Sequence, residues 1–134
     1  MNITNAAMHQ GRAILHALPV GYSLDGSGIR DPRGMLGRSF GIDMHVMSAD
    51  LPVVRNLIYA IENCHIDVAS MVASPYAAAL SVLADDEADL GAAVIDMGAG
   101  TTTIAVFGAG RFVHGDGFAL GGQHITLDIA RGLN

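Results

Sequence analysis

The sequence predicts a mixed α/β (α+β) fold in two small units, and three observations predict it. RSFGIDMHVMSAD places Phe40, Ile42, Met44 and Val46 on one face and Gly41, Asp43 and His45 on the other, the period-2 alternation of a half-buried strand. Directly after it, Val53, Val54, Leu57, Ile58 and Ile61 recur at helical spacing. From residue 92, short apolar runs alternate with glycine turns, as in an antiparallel meander.

The elements follow in order. Residues 1–12 are polar without strong periodicity and read as a helix end or a frayed arm. ILHALPVGYSLDG begins as a strand, breaks at Pro19 and resumes through Val20, Tyr22 and Leu24 to an Asp25-Gly26 turn; an internal proline predicts an edge strand. Residues 26–39 are rich in Gly, Arg and Ser and read as a long irregular connection. After the strand at 40–50, Asp50 is placed to cap a helix with Pro52 in its first turn, ending near Cys64. IDVASMVAS returns to strand character, and Ser74-Pro75 opens a second helix, YAAALSVLA, closed by DDEAD as a solvated helix end and loop. Strands at 92–96, 101–108 and 111–118 come next, with a tight turn at Gly108-Ala109-Gly110, and a helix starts near Gly122. The change of pattern at 66–74 marks a boundary, giving units 1–70 and 71–134.

Composition narrows the function. All seven basic residues are Arg and the net charge is −6, so no basic stripe for nucleic acid is present. The absence of Lys excludes a phosphate-loop lysine, a Schiff base and a Ser–Lys pair from this chain. The single cysteine, Cys64, forms no internal disulfide and, between Ile61 and Ile66, reads as a small buried apolar residue. No apolar run approaches the roughly 20 residues that span a bilayer, and the first residues do not open as a signal peptide, so a cytoplasmic location is expected. The six histidines, His9, His16, His45, His65, His114 and His124, lack zinc-site spacing, and His45 is expected on an exposed strand face. DDEAD lacks the glycine and spacing of a calcium loop, and no Gly-x-Ser-x-Gly elbow is present.

The chemistry concentrates in AAVIDMGAGTTTI. AAVI, small and uninterrupted, predicts a central strand covered on both faces, with Asp96 emerging at its tip. Gly98 and Gly100 permit positive φ and close approach, and N–H groups from Gly98 through Thr102 are able to line an anion nest, with Thr101 and Thr102 adding hydroxyls. Beside such a nest a carboxylate acts through Mg²⁺, with water between. The same residues also satisfy an ordinary hairpin in which Asp96 bonds the turn amides. Gly121 and Gly122 admit two readings as well: a helix start facing phosphate, or close packing, with the packing role assigned to Gly121 and Gly122 a candidate lining residue.

The order of segments decides between these readings. SPYAAALSVL, the acidic linker, AVIDMGAGTTTIAVF, a further strand and LGGQHITLDIA together resemble the actin-like ATPase superfamily. Within it, ILHALPVGYSLDG, RDPRGMLG, MVASPYAAALSVLADDEADLG, VIDMGAGTTTIAVF and GGQHITLDIARGL resemble the FtsA family of bacterial cell-division proteins over most of residues 13–133.

The resemblance implies that residues up to about 70 form the small FtsA-specific α/β subdomain, and the rest the beginning of the second actin-like (ribonuclease-H-like) lobe. It implies ATP and Mg²⁺ binding, with Asp96 holding Mg²⁺ through water and Gly98, Ala99, Gly100, Thr101, Thr102 and Gly122 at the phosphates. No residue here is assigned a catalytic role; at most a weak ATPase is expected of a full-length protein, and weak or absent nucleotide binding of this part, which supplies one wall of the cleft. The first phosphate loop is expected before residue 1, and the adenosine-binding and membrane-attaching segments after residue 134. Implied partners are FtsZ, later division proteins, further copies in a filament, and the cytoplasmic face of the inner membrane at the division site. Two departures stand out: Ala99 replaces the family's second glycine, and Thr103 stands where an acidic residue is common. A methyl group at 99 is expected to narrow access to the γ-phosphate and to strain the turn if φ is positive. A sugar-kinase-type phosphotransferase and a stand-alone interaction module that binds no nucleotide are the alternatives.

Overall fold

The structure, a computed structural model, describes residues 11–133. The chain divides into two compact units, the first ending at Ala73 and the second beginning at Ser74. The reading of residues 1–10, including His9, lies outside the described residues.

The first unit contains β1 (Arg12–Leu24), β2 (Ser27–Ile29), β3 (Phe40–Asp50) and α1 (Leu51–Glu62). Its antiparallel sheet has the order β2-β1-β3, so β1 is central where β2 pairs with Tyr22–Leu24, while at Pro19 only β3 lies beside it among the described residues and the strand is an edge there, as expected. Register breaks between Ile14 and His16 and between Pro19 and Gly21 each insert one residue, and Pro19, which has no N–H to donate, sits where the described strand has a neighbour on one side only. Asp25 and Gly26 both have positive φ, 50° and 84°, as a two-residue hairpin turn of the required twist demands. The connection at 26–39 is not wholly irregular, because its first residues pair with Tyr22–Leu24 as β2.

The alternation of β3 is present, but its expected inner face is only partly covered: Phe40, Ile42 and Val46 remain exposed and Met44 is half-buried, while Met47 and Ala49 on the other face are half-buried too. His45 is half-buried with its Nε2 shielded from solvent, contrary to the exposed position expected. Asp50 stands before α1 without capping it by its side chain, because the carboxylate accepts a hydrogen bond from Arg12 Nη1 at 2.9 Å. Arg12 also binds the hydroxyl and carbonyl of Ser48, which ties the start of β1 to the end of β3.

The helix α1 ends at Glu62, and Cys64 beyond it is exposed, not the buried residue expected. Residues 66–73 form no strand; with no partner to extend a sheet, their branched residues lie in an irregular segment. His16 Nε2 accepts a hydrogen bond from the Ala73 amide at 2.8 Å and fixes the end of that segment. A cleft of about 340 Å³ opens between Ala13–Leu15, Val54 and Ile58 of α1, and residues 68–71.

The second unit contains α2 (Ser74–Val82), α3 (Asp85–Leu90), β4 (Ala92–Met97), β5 (Thr102–Gly108), β6 (Arg111–Phe118) and α4 (Gly122–Gly132). DDEAD thus builds a helix of its own, where a helix end and loop were expected. Its acidic first turn suits the positive helix end, and Glu87 accepts from the Ala84 amide at 3.0 Å. The meander is antiparallel in the order β4-β5-β6, and Ala109 and Gly110, both at positive φ, close its second turn. Because β4 lies at the edge of this sheet and Ile95 is 64% exposed, the expectation of a strand covered on both faces is not met among the described residues. The core forms where α2 meets one face: Tyr76 packs on Phe107 and Phe112 at centroid distances of 6.4 and 5.1 Å, and Ala79 and Ala105 are fully enclosed. Two alanines at this junction let helix and sheet approach closely. No described helix is long and apolar enough to cross a membrane.

Candidate functional site: the loop after Asp96

Asp96 and Thr103 are directly opposed across β4 and β5. Alternation therefore puts them on the face that carries Val94, Ala105 and Phe107, and puts Met97 and Thr102 on the other. Asp96 is exposed, and its carboxylate forms no hydrogen bond or ion pair among the described residues. The ordinary-hairpin arrangement, with Asp96 bonded to turn amides, is thus not the one adopted.

The turn itself departs from the expectation of left-handed glycines. Neither Gly98 nor Gly100 has a positive φ, and neither does Ala99, whose methyl group consequently imposes no backbone strain. What glycine provides at 100 is space: an added Cβ would meet nothing within 4 Å. At 98 it provides a tighter fit, with the Thr101 carbonyl 3.3 Å from an added Cβ. The Gly98 amide donates to that carbonyl at 2.9 Å and is unavailable to a ligand.

The conformation is set by α4. Its first amides, Gly122 and Gln123, donate to the carbonyls of Gly98 and Ala99 at 2.9 and 2.8 Å, so the loop itself occupies the positive helix end. Gly121 is buried against these carbonyls, and a Cβ there would stand 2.7 Å from the Ala99 oxygen and closer still to that of Gly98. The packing role assigned to Gly121 matches this contact. The Gly122 amide is already used by the Gly98 carbonyl, so Gly122 could line a site only without donating from its amide.

The peptide bonds are trans, so the N–H groups of Ala99 and Gly100 point opposite to the carbonyls of Gly98 and Ala99. They face away from α4. Thr101 is exposed beside them. Thr102 is buried, and its hydroxyl donates to the Leu120 carbonyl at 2.7 Å, so it serves the β6–α4 connection and not a ligand. Asp96, Ala99, Gly100 and Thr101 thus remain exposed, while the Gly98 and Gly122 amides and the Thr102 hydroxyl are already used. Two outward amides beside a carboxylate suit an anion bridged to a hydrated cation.

On the opposite face a cleft of about 320 Å³ is lined by Met97, Thr102, Phe118, Leu120, His124 and Ile125 among others, and is mainly apolar. His124 Nδ1 accepts from the Gly121 amide at 3.1 Å and holds the start of α4. The sequence reading gave His124 no role; the signal was its place three residues after the glycine that precedes the helix. Among the described residues no three His, Cys, Asp or Glu side chains gather as a metal site, so a cation here would draw on water and a ligand as well as Asp96.

Comparison with known proteins agrees with the order of segments. A model of the SHS2 domain inserted in FtsA matches residues 1–48, and one of cell division protein FtsA matches residues 93–134. The chain is similar to cell division protein FtsA of Rhizobium meliloti, 54% identical over 96% of this chain and 30% of that protein. It is similar to the same protein of Agrobacterium fabrum, 54% identical over 96% of this chain and 29% of the relative, and of Escherichia coli, 33% identical over 87% and 28%. The chain thus spans about 30% of the length of the curated relatives it matches. With both halves matched by models of the same protein and the small α/β unit in place ahead of the meander, the chain belongs to the FtsA family of cell-division proteins.

Proposed function

We propose that this chain supplies one wall of an Mg·ATP site in a division protein that assembles with its own copies and tethers FtsZ filaments to the cytoplasmic face of the inner membrane. What supports the nucleotide reading is the exposed Asp96 carboxylate, without a side-chain partner among the described residues, one residue before a loop whose Ala99 and Gly100 amides point away from α4. The residues fit the group: an open carboxylate for a hydrated Mg²⁺, two amides and the Thr101 hydroxyl for phosphate oxygens, and clear space above Gly100. Magnesium would neutralise phosphate charge there, and the chain's own residues bind and orient.

In this reading ATP binding governs assembly, and any hydrolysis is weak, because no residue of this chain is placed as a base. The test is calorimetry of the complete protein with Mg·ATP. Asp96→Asn is expected to lower affinity about tenfold or more, as loss of a charge-assisted contact implies, and to reduce co-sedimentation with FtsZ in parallel. Unchanged affinity would remove Asp96 from the site and the nucleotide reading with it.

A further inference from the structure

We infer that the loop Arg30–Arg38 of the first unit is a contact for an anionic lipid surface, with Leu36 as its inserting residue. The inference goes beyond the nucleotide reading and does not depend on it. It concerns a different part of the chain from the attachment segment that the resemblance places after residue 134.

Three features converge on this loop. Leu36 is 99% exposed and its neighbour Met35 50%, so the most open large apolar side chain described sits at a loop apex and not on a sheet. The loop also reverses the charge of the chain. It holds three of the seven arginines, Arg30, Arg33 and Arg38, against one carboxylate, Asp31, a local balance of +2 in a protein of −6. Asp31 pairs with Arg33 at 2.7 Å; its hydrogen bonds first, and its charge second, push the guanidinium pKa further up, so that charge persists at any physiological pH.

The loop is also held in place. The Asp25 carboxylate accepts from the amides of Arg38 and Ser39 at 2.9 and 2.8 Å, Asp25 N–H donates to the Ser39 carbonyl at 2.8 Å, and Met35 N–H donates to the Pro32 carbonyl at 3.2 Å. Gly34 takes the positive φ, 77°, that this turn requires. Gly37 packs so closely on Leu24 that a Cβ would stand 2.5 Å from its Cδ1. The chain is thereby pinned on both sides of Leu36 without covering it, and little conformational entropy remains to be lost when it docks.

A bilayer suits this shape better than a protein. With Leu36 almost wholly open to solvent, the loop presents it at an apex and not in a groove. A protein partner would need a matching pocket, whereas a lipid interface yields around one leucine while its headgroups meet the arginines.

Sedimentation of the chain with vesicles of phosphatidylcholine containing about one-third phosphatidylglycerol, against pure phosphatidylcholine, tests this. Expected is binding to the anionic vesicles that falls with added salt and is at background on the neutral ones, with a loss of about fivefold for Arg38→Ala and about tenfold or more for Leu36→Asp. Because the protein contains no Trp, Leu36→Trp installs a single reporter whose emission shifts to the blue only on anionic vesicles. Equal sedimentation with both vesicles, none with either, an unshifted emission from the Leu36→Trp protein, or saturable binding to a glutamate-rich peptide without vesicle binding overturns the inference.

Discussion

Substituting Gly121 by alanine tests how the candidate loop is held. The new Cβ would lie 2.7 Å from the Ala99 carbonyl oxygen, against the 3.4 Å at which ordinary contact begins, so helix and loop must part by about 0.7 Å. Added to the 2.9 and 2.8 Å bonds from Gly122 and Gln123, that displacement takes both past hydrogen-bonding range. Two lost bonds at about 1 kcal/mol each, with part of the ~1–3 kcal/mol typical of overpacking, give a destabilisation of about 2–4 kcal/mol. The obstacle is backbone, which cannot rotate aside as a side chain can. Urea unfolding followed by circular dichroism reads the stability, and amide exchange at Gly122 and Gln123 reads the two bonds. Gly122→Ala is the control: its Cβ would meet the Gly98 oxygen at an ordinary 3.8 Å, and a change within about 1 kcal/mol is expected. A Gly121→Ala protein within about 0.5 kcal/mol of the parent, with both amides still protected, would refute the claim that α4 sets the loop.

Thr102→Val keeps the shape of a buried residue but leaves the Leu120 carbonyl without its donor; a loss of about 1–3 kcal/mol is expected in the same unfolding assay, with no change in the position of Asp96. Phe112→Ala removes the ring that Tyr76 and Phe107 both contact and should cost about 3–5 kcal/mol, measured as a shift of the urea midpoint at constant slope. His16→Ala releases the Ala73 amide; accelerated proteolytic cleavage within residues 66–73, with the sheet retained by circular dichroism, is the expected outcome. Asp50→Asn should change stability by less than about 1 kcal/mol, because its pair with Arg12 is solvent-exposed, at 68% for the Asp50 side chain, and Arg12 keeps both bonds to Ser48.

What the sequence revealed was local. The Asp25-Gly26 turn follows from residue chemistry, because Asp and Gly tolerate positive φ, whereas at 108–110 the flanking glycines mark the turn and Ala109 takes a positive φ that alanine disfavours. The three meander strands and the start of α4 at Gly122 were legible for the same reason. Pro19 marked an edge correctly at its own position, but the proline could not reveal that β2 joins the other side of β1 three residues later, at Tyr22–Leu24. Branched residues at 66–73 suggested a strand, but a strand needs a neighbour, which composition does not reveal. Cys64 and Asp50 were misplaced by a helix that ends two residues earlier than expected and by an arginine 38 residues away. At the candidate site, sequence identified the segment but not the division of labour within it. Which amides point outward depends on two hydrogen bonds to a helix more than twenty residues later, and no local pattern encodes that.

The central claim is that Asp96 and the outward amides of Ala99 and Gly100 together hold a magnesium-linked polyphosphate. Its most direct test is a titration of the complete isotope-labelled protein with Mg²⁺ and ATP, added separately and together, followed by amide NMR. The account predicts shifts at Ala99, Gly100 and Thr101 that need both components and vanish in Asp96→Asn, while Gly122 and Gln123, held by the loop carbonyls, stay in place. Shifts centred on Gly122 and Gln123, or a loop that does not respond when both components are present in excess, would contradict it.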